Sequence, residues 1–172
     1  MSARARASAA HVAAEALVEY LEAAVYSTLA RRGVYPAETF ESHLLYGIPV
    51  RRTRSPALAE YMEGFLEALL PLARTGAAKA ICLVITTEEP AFVALERHIF
   101  SFALVGEAQV AAVALAEKRA RPPPVSHADA EDLVTLERLL AEAVVALDRA
   151  DASLPPLPPG KPLLACALCA AG

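Results

Sequence analysis

One stretch, Lys79 to Phe102, limits what this chain can fold into more than any other, because it holds an apolar run, a polar break and a second run in close succession. Ala80-Ile81-Cys82-Leu83-Val84-Ile85 is too short for a lone buried helix, is rich in β-branched residues and has no polar side to offer water. It predicts a strand covered on both faces. Thr86-Thr87-Glu88-Glu89-Pro90 interrupts the run with polar groups and a proline that cannot donate to a ladder, and Leu95 to Phe102 resumes as a strand. In that second strand Glu96, His98, Phe100 and Phe102 share one face, and Leu95, Arg97, Ile99 and Ser101 the other. The main sheet is expected to be built on this hairpin.

Three helices flank it. From Ser8 to Arg32, Leu17, Val18, Leu21, Val25, Thr28 and Leu29 recur at helical spacing opposite a stripe of Glu15, Glu19 and Glu22, so an amphipathic helix is expected. Arg31 and Arg32 suit its negative end, and Gly33 its left-handed stop. Phe40 to Val50 reads as a strand ending near Gly47. Ser55-Pro56 is a helix start, with serine as N-cap and proline at N1. Leu58, Tyr61, Met62, Phe65, Leu66, Leu69 and Leu72 form that helix's apolar stripe, Pro71 is expected to bend it and Gly76 to close it. Asp129 to Asp148 carries the third helix, and Leu163 to Ala170 a last strand. Residues 1–10 and the alanine- and proline-rich connection 103–128 are expected to be poorly ordered. With 172 residues, 56% of them hydrophobic, the chain suits a single domain with a real core. Helices and strands interleave unevenly, which argues for an α+β fold with helices over one main face of the sheet.

The residues exclude several chemistries. A net charge of -4 repels phosphate on average, so direct nucleic-acid binding is not expected. None of the seven glycines sits in a phosphate-cradling motif. No segment reaches the ~20 apolar residues of a membrane span. Three cysteines, and a start without the apolar block that secretion needs, point to a reduced intracellular compartment. Cys166 and Cys169 form a lone C-x-x-C without a second pair or a neighbouring histidine, so packing is favoured over metal or redox work; Cys82 reads as core. His11, His43, His98 and His127 are scattered, and His98 reads as a hydrogen-bonded strand residue. Arg51-Arg52-Thr53-Arg54 reads as a solvated basic loop, with a nuclear address or a partner contact as the alternatives.

Taken together, Ala16 to Val25, Val34-Tyr35-Pro36, Tyr46 to Val50 and Pro56 to Met62 resemble the HORMA domain family, in particular its branch that serves DNA polymerase zeta. The likeness continues through Pro71-Leu72, Ile81 to Ile85 and Leu95 to Phe102, and resumes more weakly at Leu139-Leu140 and Pro158-Pro159-Gly160. The resemblance implies a non-enzymatic, cofactor-free nuclear adaptor, present also in the cytoplasm. It would grip a closure peptide of the polymerase-zeta catalytic subunit and bridge it to other translesion-synthesis factors. A spindle-checkpoint or meiotic-axis role is the alternative within the family, and a small hydrolase or redox protein using Cys166, Cys169 or His98 the alternative outside it. Tyr61 matches a family tyrosine that contacts the client peptide. The family's clasping C-terminal segment is expected to be absent, since Gly172 follows the strand that precedes it, and with it most of the surface for the other translesion-synthesis factors. Ala141 stands where the family's self-association contact has an arginine, so a homodimer of that kind is not expected. His98 replaces a usual aromatic.

Overall fold

The computed structural model describes residues 9–74, 77–78, 80–87, 92–101, 127–158 and 162–169. Gly76, Phe102 and nearly all of residues 1–10 and 103–128 lie outside that set, and with them the expectations placed there. In chain order the elements are α1 (Ala9–Arg31), a 3₁₀ turn (Ala37–Thr39), β1 (Phe40–Leu45), β2 (Ile48–Thr53), α2 (Pro56–Arg74), β3 (Ala80–Thr87), β4 (Ala94–Ser101), α3 (His127–Ala152) and β5 (Pro162–Cys169).

The apolar run is the middle strand of an antiparallel sheet with order β4-β3-β5. Ile81, Leu83 and Ile85 point into the main core at no more than 1% exposure, and Cys82, from the opposite face, is also buried. Coverage of both faces is therefore largely met, with Val84 only half-buried. On β4 the expected alternation holds: Glu96, His98 and Phe100 stand in register with Ile85, Leu83 and Ile81, while Ile99 on the other face is 63% exposed. The register slips once, between Ile85 and Thr86.

One expectation is overturned next door. Phe40 to Val50 is not a single strand but most of a hairpin, β1 paired with β2 from Phe40↔Thr53 to Leu45↔Ile48, and it forms its own two-stranded sheet. Tyr46 and Gly47 occupy the two-residue turn with φ of 50° and 76°. Positive φ at both central positions is the twist that matches paired strands, and Asn-Gly is its usual signature. Tyrosine in the first place hid it. The Tyr46 hydroxyl donates to the Ala16 carbonyl of α1 at 3.1 Å, which holds a conformation tyrosine does not favour alone.

α1 also departs from expectation. Up to Glu22 it has a wet side, but Ala23 to Leu29 are buried without interruption, including Ser27 and Thr28. A helix apolar all round is one that other elements surround. Leu17, Leu21, Val25 and Leu29 join the sheet, α2 and Leu140 of α3 in the main core. Ala23 joins Val50 of the hairpin and Val144 of α3 in a smaller cluster. The α1 C-terminus closes as foreseen: Gly33 has φ of 65°, its N–H donates to Ala30, and the Val34 N–H donates back to Leu29 at 3.1 Å.

Helix α2 starts as the Ser-Pro signal requires. The Leu58 N–H reaches the Ser55 hydroxyl oxygen at 3.5 Å, and the Ala59 N–H the Ser55 carbonyl at 3.0 Å. Leu58, Met62, Leu66 and Leu69 bury their side chains, while Tyr61 and Leu72, at the flanks of the stripe, are 46% and 37% exposed. Pro71 lies inside the helix. α3 runs a little beyond the expected bounds at both ends and buries Leu140 and Val144.

Candidate functional site

In the three-stranded sheet, β4 and β5 each pair with β3 alone among the described residues, so each presents an outer edge. An edge strand offers a row of N–H and C=O groups to any extended segment laid beside it. β4 is pinned from behind. Glu96 sits on its core-facing side, where a carboxylate needs a partner. Arg32, at the end of α1 and only 6% exposed in its side chain, grips both Glu96 oxygens, with Nε to Oε2 at 2.8 Å. The same guanidinium donates to the Pro155 carbonyl at 2.5 Å, and His98 Nε2 lies 3.1 Å from Glu96 Oε2. Burial alone would raise the Glu96 carboxyl, but the hydrogen bonds from Arg32 and His98 outweigh it and hold that group below the ordinary carboxylate range. One cluster thus ties α1, the edge strand and the segment leading to β5.

Sequence reasoning missed this cluster. The signal was there: a glutamate at an inward position of a half-buried strand, and an arginine at a helix end.

Tyr61 lies elsewhere, on α2. It lines a cavity of about 280 Å³ with Tyr35, Ser55, Ala57 and Leu58. Tyr35 in turn meets Phe40 edge-on, ring centres 6.4 Å apart. With 46% exposure Tyr61 is not a core aromatic.

The other singled-out residues do not converge. Cys82 is buried in β3. Cys166 and Cys169 stand opposite Leu83 and Ala80 in the β5–β3 register. Among the described residues no group of three or more His, Cys, Asp or Glu is placed to hold a metal. The basic run is not a loop, as Arg51, Arg52 and Thr53 belong to β2, and Arg54 just beyond it pairs with Glu41 of β1 at 3.0 Å.

No family model matches the chain. Individual proteins do. It is 28% identical over 150 residues to the zebrafish (Danio rerio) mitotic spindle assembly checkpoint protein MAD2B, and 28% over 149 residues to the human one, covering 87% of this chain in each. The match spans 62% of either relative's length. An Arabidopsis thaliana DNA polymerase zeta processivity subunit is 31% identical over 88 residues, 51% of this chain and 40% of that one. A chain from the crystal structure of a mitotic checkpoint complex superposes with a TM-score of 0.68 at 20% identity, over 92% of this chain and 74% of its own. The order of helices and the two antiparallel sheets are shared with that fold. The fold of this chain is α+β and HORMA-like. The sheet edges and the Tyr61 cavity are the surfaces of this HORMA-like fold to weigh first.

Proposed function

We propose that this HORMA-like domain belongs to the HORMA family and is a non-enzymatic adaptor of translesion DNA synthesis, acting in the nucleus, that captures a closure peptide of the DNA polymerase zeta catalytic subunit. The observation that carries the reading is the β4-β3-β5 sheet, whose buried middle strand leaves, among the described residues, β4 and β5 each with one backbone edge for an added strand. The MAD2B and polymerase-zeta relatives support the pathway. Tyr61 is assigned to the client contact. It offers both apolar area and a polar tip beside a cavity sized for one or two side chains. A spindle-checkpoint role is the second reading, favoured by the MAD2A relatives, such as the mouse protein at 32% identity over 87 residues.

The test is a titration of this chain with a labelled polymerase-zeta closure peptide and, in parallel, a checkpoint closure peptide. The first is expected to bind saturably, with backbone amide shifts along β4 or β5. Tyr61→Ala is expected to weaken it by about tenfold, the cost of one anchoring contact of ~1.4 kcal/mol. Preference for the checkpoint peptide would move the protein to the other pathway, and binding of neither would remove the adaptor reading.

A further inference from the structure

A second cavity, of about 300 Å³, opens between α1 and the β1–β2 hairpin. Its two walls carry opposite charge. Glu19 and Glu22 come from α1, Arg51 and Arg52 from β2. Glu22 feels Arg52 and His43 across the gap, yet among the described residues no ion pair closes it, although Arg54 nearby does pair with Glu41. The strand cannot simply move in: Val50 and Ala23 are packed beneath, and the Arg51 N–H is tied to the Ser27 hydroxyl oxygen at 3.3 Å.

At the back of this cleft lies Tyr26. It is 1% exposed, lines the cavity, and its ring packs against Phe40 at 6.5 Å. Its hydroxyl makes no hydrogen bond to another described residue and, unlike that of Thr28, is not sealed from solvent, so it opens into the cleft. Burial, together with the nearby Glu22 charge, pushes that hydroxyl up to about 12, so it remains a neutral donor. Burial likewise raises the Glu22 carboxyl, with Glu19 and Glu63 adding to the rise while Arg52 and His43 oppose it. The cleft therefore holds two carboxylates and two guanidiniums that form no ion pair with one another among the described residues, and an unused donor.

We infer that the cleft between α1 and the β1–β2 hairpin is a second binding site, for an extended segment of a protein partner in which a basic residue directly adjoins an acidic one. Successive side chains of an extended chain point to opposite sides. The basic one meets Glu19 and Glu22, the acidic one meets Arg52 and Arg51, and Tyr26 donates to a backbone carbonyl between them. Net charge gives no such preference, since a uniformly charged segment is repelled by one wall.

The test uses the ¹⁵N-labelled full chain and three capped dipeptides: acetyl-Arg-Glu-amide, acetyl-Arg-Ala-amide and acetyl-Ala-Glu-amide. The first is expected to shift amides of residues 19–26 and 50–52 saturably. Each singly charged control is expected to bind about tenfold more weakly, as are Glu22→Gln and Arg52→Gln with the first peptide, since a charged hydrogen bond is lost each time. Tyr26→Phe keeps the ring contact and is expected to weaken binding a few-fold with an unchanged melting temperature. Equal affinity for the three dipeptides, shifts that do not saturate, or variants that melt normally and bind unchanged would each overturn the proposal. The polymerase-zeta closure peptide, added to the same samples, reports on the sheet edges separately.

Discussion

The two sheets are both antiparallel, yet they are held by different means. The three-stranded sheet rests on a central apolar strand, with Ile81, Leu83 and Ile85 all but fully buried. The β1–β2 hairpin buries little beyond Phe40 and Val50, and is fastened to α1 by polar ties: the Tyr46 hydroxyl on Ala16 and the Arg51 N–H on Ser27. A two-stranded ribbon is marginal by itself. The first sheet draws its stability from area removed from water, the second from a few geometry-dependent bonds and the helix behind them.

That contrast is open to attack in order of effect. Leu83→Ala in the middle strand should cost roughly 2–5 kcal/mol, a large share of a small domain's ~5–15 kcal/mol, and lower the midpoint of chemical unfolding for every probe at once. An unchanged midpoint would remove the central-strand account. Arg32→Ala should cost about 3 kcal/mol by leaving Glu96 without its main partner in a mostly buried site. The same cluster sets a pH response. Because the folded Glu96 is more acidic than the unfolded one, its contribution is complete above the ordinary value of 4.5 and fades as pH falls through the lower folded value. Glu96→Gln should therefore flatten the acid limb of a stability–pH curve, and an unaltered limb would discount the cluster.

In the hairpin the effects should be smaller and local. Tyr46→Phe removes one hydrogen bond, about 1 kcal/mol, and should speed amide hydrogen exchange in β1 and β2 while leaving β3 protected. Faster exchange throughout the molecule would erase the distinction between the sheets. Smallest of all, the Thr28 hydroxyl is buried with no partner among the described residues, so Thr28→Val should be neutral or stabilising by up to about 1 kcal/mol in thermal melting.

What could be read from the sequence follows the same divide. The β3–β4 hairpin, the start of α2 at Ser55-Pro56 and the Gly33 stop of α1 each rest on one residue type doing one physical job, and each was legible. The β1–β2 turn was not, because Tyr46 holds a left-handed position through a bond to Ala16, thirty residues away. Nor was the fully enclosed half of α1: the glutamate stripe ends at Glu22, and the alanines beyond it pack equally well against water or neighbours. Tyr61 was singled out only through family resemblance, since its helical spacing placed it in the apolar stripe. The charged cleft escaped notice because its walls, Glu19 with Glu22 and Arg51 with Arg52, belong to elements whose contact is tertiary.

The grip of Arg32 on Pro155 also bears on how the chain is made. These residues are 123 positions apart, and β3 receives its second neighbour only with residues 162–169. At roughly 5–20 residues per second, a ribosome delivers the second partner on the order of ten seconds after the first. Until α3 follows, the part of α1 that Leu140 and Val144 cover stays open, and the nascent protein is a natural client for chaperones that shield exposed helices during synthesis.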